Sequence, residues 1–147
     1  MKVTICGSIA FIDEMLETQK KLEQLGHEVK IPPHEIMDEN GKLMPAKEYY
    51  ALRKQASDDV DWIWARKGEA IQNHFDKVVW SDAVLILNYD KNNIDNYIGP
   101  NTFLEIGLAF HAKKKIFLLN PIPEVIYKEE MLGMNPKIIN GDFSLLV

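Results

Sequence analysis

One cysteine, Cys6, occurs in 147 residues, so no intrachain disulfide exists. Its neighbours are apolar and supply no electropositive, accessible setting, so a small buried hydrophobe is expected there rather than a reactive thiol. No stretch approaches the ~18 apolar residues of a membrane-spanning helix. The start MKVTICGSIAF also lacks the charged region, apolar core and small-residue cleavage site of a secretory signal, so a cytoplasmic protein with no membrane partner is expected. An excess of positive charge is missing too: the net charge is −5 and the pI about 5.4. The lysines are scattered apart from Lys113, Lys114 and Lys115, which suit a helix end. This pattern argues against a nucleic acid polymer as partner and leaves room for a small anion in one cleft.

Repeats and low-complexity segments are absent. So is the glycine spacing of a dinucleotide fingerprint, and no Lys-Ser/Thr pair marks a phosphate loop, so no cofactor is expected. His27, His34, His74 and His111 are far apart, and Asp38 stands where a zincin helix would place its second histidine, so no metal is expected. A receiver-type phosphoacceptor would need acidic residues after the first strand, where Cys6, Gly7 and Ser8 stand. What remains, 46% hydrophobic and 27% charged residues, suits a single soluble domain spanning residues 1–147.

The run from Lys2 ends at Gly7-Ser8-Ile9 and reads as a strand. FIDEMLETQKKLEQLG follows with apolar residues at near-helical spacing and Gly26 as its stop. HEVKIPP is a second short strand, and HEIMDENGKLMP reads as a loop long enough to be a lid. Ala46 to Trp80 is helical, with a break near Ser57-Asp58 or Gly68. AVLILNY has the continuous apolar character of a central strand covered on both faces. The helix in YIGPNTFLEIGLAFHAKKK follows, then KIFLLNP as a strand, EVIYKEEMLG as a short helix, and KIIN as a possible fifth strand. Strands alternating with helices imply an α/β, three-layer Rossmann/flavodoxin-like domain with a four- or five-stranded parallel sheet. Ligands of such folds bind at the carboxyl ends of the strands, where Gly7-Ser8-Ile9, Asn88-Tyr89-Asp90 and Asn120-Pro121 should converge.

Glu105 is the one acidic residue among Phe103, Leu104, Ile106, Leu108 and Phe110. It reads two ways. Thr102-Phe103-Leu104-Glu105 fits a capping box, in which Glu105 reaches back to the helix start. Alternatively Glu105 lies in the first turns of a helix entering from the ligand edge, where the helix dipole favours an ionised carboxylate able to attack an electrophilic carbon.

GSIAF, SDAVLILNYD and NTFLEIGLAF together resemble the nucleoside 2-deoxyribosyltransferase family, which includes 2′-deoxynucleoside 5′-phosphate N-hydrolases. The resemblance runs from about Lys2 to Pro121 and is most specific from Ser81 to Phe110. It implies that Glu105 is the nucleophile, attacking the anomeric carbon of a nucleoside or nucleotide to form a glycosyl-enzyme. Water or a second base would then take the sugar. It also implies a homodimer or larger homo-oligomer with sites completed across the interface.

The chain departs from the family pattern at three places. His74 stands where the family has a helix aspartate and is the candidate acid, with a core or surface histidine as the plain alternative. Asp76 lies about 200° around the helix and is a poor substitute. Gly99 stands where the transferases carry an aspartate and the nucleotide hydrolases a serine, leaving Ser8, Asn101, Thr102 and the backbone at Gly99 to contact sugar or phosphate. The tyrosine that the transferases bring from near the chain end is missing from GDFSLLV, and Tyr127, Tyr89 and Tyr97 are the substitutes on offer. Phe11, Tyr89 and Tyr97 lie where a base could stack, whereas Trp62, Trp64 and Trp80 read as packing or subunit contacts. A non-catalytic nucleotide or nucleotide-sugar binding module on the same fold is the competing function, and N-ribosyl cleavage of a dinucleotide a third.

Overall fold

The alternation of short apolar runs with amphipathic ones places five strands side by side in the computed structural model, which describes Met1–Val147. The chain runs through β1 (Lys2–Cys6), a 3-10 turn (Ile9–Phe11), α1 (Ile12–Gln24), β2 (Glu28–Lys30), β3 (Glu35–Met37), β4 (Leu43–Pro45), α2 (Ala46–Gln55) and α3 (Asp61–Trp80). It continues through β5 (Ala83–Ile86), α4 (Pro100–His111), β6 (Lys115–Leu118), α5 (Lys128–Met134), β7 (Lys137–Ile138) and a closing 3-10 turn (Phe143–Leu145). The sheet order is β2-β1-β5-β6-β7, and every pairing in it is parallel.

Side chains on a strand point alternately to opposite faces, and both faces of this sheet are covered. Val3, Ile5, Ala83, Leu85 and Phe117 pack on one face against Ile12, Met15 and Leu22 of α1. Cys6, Val84, Ile86, Ile116 and Leu118 pack on the other against Val78 of α3, Ile106 and Ala109 of α4, and Met131 of α5. Burial of each large apolar side chain stabilises the fold by about 1.5–3 kcal/mol. The result is the expected three-layer α/β arrangement, and no helix is long and apolar enough to cross a membrane.

Of four local features, two differ from the reading of the sequence and two agree with it. The His34–Pro45 segment is not a plain loop: β3 and β4 form an antiparallel hairpin, whose turn is held by Asp38 accepting from the backbone N–H groups of Asn40 and Lys42. The helical break falls between Gln55 and Asp61, while Gly68 lies inside α3. The segment after α1 starts where expected, with Gly26 at φ +89° just past the helix end. Finally, α4 begins at Pro100, with Gly99 as its N-cap. Proline suits the first helical position because its missing N–H has no partner there anyway. Thr102 and Glu105 are therefore both inside the helix, and the capping-box reading of Glu105 is overturned.

Candidate active site

The carboxyl end of β1, the amino end of α4 and one face each of α2 and α3 enclose a cavity of about 380 Å³. The turn after β1 contributes Gly7, Ser8 and Ile9; α4 contributes Asn101, Thr102 and Glu105, with Gly99 at its cap. From α3 come Trp64, Lys67 and His74, and from α2 come Tyr50, Arg53 and Lys54. Lys91 and Tyr97, in the loop between β5 and α4, close the rim.

Glu105 lies on the second turn of α4, 3% exposed, with its carboxyl at the cavity wall. One oxygen accepts a long bond from Asn101 Nδ2 at 3.4 Å; the other, Oε2, has no hydrogen-bond partner and lies 3.8 Å from His74 Nε2. Neither ring nitrogen of His74 is hydrogen-bonded, although the residue is 3% exposed. Buried polar atoms without partners are uncommon and expensive, and these three are concentrated at one point. Burial pushes the Glu105 carboxyl up to about 8, against the opposing pull of the Cys6 thiol and the Lys67 ammonium. Burial, helped by the Lys77 ammonium and opposed by the Ile5 backbone, lowers His74 to about 4. The carboxyl is thus not held ionised as its place near the helix start suggests; desolvation sets its state. Near neutrality Glu105 is protonated and His74 is a neutral imidazole.

Cys6 is the third member of this cluster. Its thiol is pushed well above the usual range by burial and then by Glu105. One donor atom from each of Cys6, His74 and Glu105 lies within 4.8 Å of the others. These are residues that could hold a metal ion, a grouping that sequence spacing did not suggest. An ion would have to displace the protons of both the thiol and the carboxyl.

Of the residues expected to bind substrate, Gly7, Ser8, Ile9, Gly99, Asn101 and Thr102 line the cavity, but Phe11, Asn88 and Tyr89 do not. The 3-10 turn at Ile9–Phe11 directs Phe11 into the α1 face of the core, where it meets Tyr89 edge-on with ring centroids 5.3 Å apart. Asn88 is fully buried and tied to the end of the next strand: its amide donates to the carbonyls of Asn120 and Pro121 and accepts from Asn120 N–H. Asn120 Nδ2 returns a bond to the Asn88 carbonyl at 3.1 Å. These asparagines clamp β5 to β6 and leave the Asn120-Pro121 segment outside the cavity. Asp76 is exposed and accepts from Gln72.

At Gly99 a Cβ would stand 2.7 Å from the Tyr97 hydroxyl. The space that a side chain at Gly99 would take is filled by that phenol. Tyr127 is used differently, donating its hydroxyl proton to the Ile98 carbonyl. Trp64 lines the cavity with its indole N–H on the Ser57 carbonyl, while Trp62 packs near Tyr49 and Trp80 lies beneath Lys30. The cations Arg53, Lys54, Lys67 and Lys91 were not singled out from the sequence, because they are dispersed along it and meet only in space.

Neither a protein-family model nor a curated protein matches the chain. Among solved structures, a 2-deoxyribosyltransferase from Bacillus psychrosaccharolyticus matches with a TM-score of 0.50 and 15% identity, over 80% of this chain and 71% of that one. A Clostridium botulinum CMP N-glycosidase, BcmB, matches with a TM-score of 0.49 and 18% identity, over 95% and 86% of the two chains. The chain is therefore similar in fold to a 2-deoxyribosyltransferase, the group that its own motifs resemble.

Proposed function

We propose that this protein is an enzyme that cleaves or transfers the N-glycosidic bond of a nucleoside or nucleotide, with Glu105 as nucleophile and His74 as its proton partner. The observation that carries the reading is the unpartnered Glu105 Oε2 at the cavity wall, 3.8 Å from the unpartnered His74 Nε2. As the bond between sugar and base breaks, the Glu105 oxygen bonds to the anomeric carbon and its proton passes to His74. The imidazolium then delivers that proton to the departing base, which leaves neutral. No outside acid is needed. Water attacking the resulting ester returns the sugar and restores the protonated carboxyl; a second base in place of water gives transfer instead. Proton delivery of this kind contributes about 10²–10⁴-fold to a rate. A homo-oligomer belongs to the same proposal: Val79 of α3 and Leu104 and Phe110 of α4 are exposed and available for subunit packing.

Incubation with a panel of nucleosides and nucleoside monophosphates, followed by chromatography for free base, tests the reading. Base release that Glu105→Gln abolishes supports it. The raised Glu105 gives the competing reading, a binding module without turnover, its one specific support. That reading predicts equal ligand affinity in the protein and in Glu105→Gln, with no base released by either.

A further inference from the structure

Glu105 is the only acidic residue that lines the cavity, whereas Arg53, Lys54, Lys67 and Lys91 all line it. None of the four is paired with a carboxylate; the ion pairs of the chain employ other cations. In a protein of net charge −5, so many unneutralised cations around one hollow mark a place for negative charge. Three of them surround a single ring. Arg53 Cζ, Lys54 Nζ and Lys91 Nζ lie 4.9, 5.0 and 5.0 Å from the centre of Tyr50, so no two are more than about 10 Å apart. The spread suits one tetrahedral anion or a short chain of them.

The hydroxyls nearby are set up in the same sense. Lys91 Nζ donates to Ser8 Oγ at 2.7 Å and to Tyr50 Oη at 3.2 Å, and Ser8 Oγ also accepts from Ala10 N–H. With their oxygens engaged as acceptors, both hydroxyls have protons left to give. A ligand that meets cations and donated hydroxyl protons at once must be rich in acceptors and charged, which describes a phosphate better than a sugar hydroxyl or a base edge. Burial would raise the Tyr50 phenol, but Lys91 and Lys54 outweigh it and lower it, so the positive field at this spot is felt by the ring's own hydroxyl.

We infer that the ligand is phosphorylated, a nucleotide rather than a nucleoside, and that its phosphate docks on Arg53, Lys54 and Lys91 against the Tyr50 and Ser8 hydroxyls. The inference deepens the glycosidic reading and rests on it for the nucleoside half of the ligand. The phosphate half rests on α2, the loop before α4 and Ser8 of the turn after β1. Docking there anchors one end of the substrate, leaving the sugar–base bond to reach Glu105.

The test uses inorganic phosphate and pyrophosphate as probes, titrated calorimetrically against the protein, Glu105→Gln, Lys91→Gln and the double variant Arg53→Gln/Lys54→Gln, with acetate as control anion. Both phosphates should bind the first two proteins alike and more tightly than acetate, with affinity falling as salt rises. The cation variants should bind about tenfold more weakly or worse. Circular dichroism shows whether each variant is folded, and the exposed Lys54 can be changed alone if the double variant is not. Phosphate binding no tighter than acetate, or unchanged in folded cation variants, overturns the inference. Turnover then separates the two claims. If nucleosides are cleaved as well as their monophosphates, the nucleotide preference fails while the glycosidic reading stands. If phosphate binds as described but no base is released from any nucleotide, the glycosidic reading fails and the anion site stands.

Discussion

Glu105 and His74 share a dry space in which a charge on either is costly, and the pair keeps one proton between about pH 4 and about pH 8. Under the proposed mechanism that proton must be present, and His74 must be free to receive it. The account therefore predicts a bell-shaped dependence of kcat/KM, with limbs near these two values that belong to the pair rather than to either residue. Glu105→Gln should lower kcat by at least about 10³-fold with substrate still bound, and His74→Ala by about 10²–10⁴-fold, as single-turnover base release would measure. Stability should carry the same signature. Folded Glu105 keeps its proton to about pH 8 while an ordinary glutamate loses it near 4.5, so the native state is destabilised progressively as pH rises through that window. Folded His74 loses its proton near pH 4 while an ordinary histidine holds it to 6.5, so stability climbs with pH between those values. The slopes oppose each other up to about pH 6.5, and above it the glutamate's fall is left alone. Removing the carboxyl should thus stabilise the protein at pH 8 relative to pH 6.5 by on the order of 2 kcal/mol, or about 4–8 °C in Tm, readable by calorimetric scans of Glu105→Gln and the parent.

At the scale of elements, the site depends on where strands end and helices begin. Asn88 and Asn120 clamp the ends of β5 and β6, and Asn88→Ala would leave a buried N–H and two carbonyls short of partners. A loss of about 2–3 kcal/mol in urea unfolding is expected, with phosphate binding retained because neither asparagine lines the cavity. The strands were legible in the sequence because VTIC, AVLI and KIFL are apolar runs between turn residues. The break after Gln55 was marked by the polar segment at Ser57-Asp58. The β3–β4 hairpin was not legible, since three-residue strands carry too little alternation to be seen beneath Gly41 and the prolines. At the start of α4 a Thr-x-x-Glu pattern competes with a proline at the first helical position, and the proline sets the boundary, so of the two readings of Glu105 the capping box fails. The place of Asn88 and Tyr89 just after β5 suggests the ligand edge, yet Asn88 is drawn to the end of β6 by its bonds to Asn120 and Pro121, and Tyr89 packs on Phe11 at the α1 face. Lys91, Arg53 and Lys54 come from segments whose meeting no local pattern encodes.

The whole molecule is acidic, yet four cations unpaired with any carboxylate line one hollow. Its field should repel anions at long range and hold them at short range. Raising salt should therefore weaken nucleotide binding strongly while leaving nucleoside binding nearly unchanged, a contrast that titrations at about 0.05 and 0.5 M salt resolve. Sedimentation at several concentrations will show whether the exposed apolar residues of α3 and α4 join subunits, with a dimer or larger assembly expected. The central claim is that the Glu105 carboxyl becomes bonded to the sugar. Intact mass spectrometry after incubation with 2′-deoxy-2′-fluoro nucleotides, whose glycosyl-enzymes break down slowly, addresses it directly. The account predicts a mass gain equal to the fluorinated sugar phosphate, mapped by peptide sequencing to Glu105 and missing from Glu105→Gln. Release of base with the sugar attached to another residue, or undiminished release by Glu105→Gln, would contradict it.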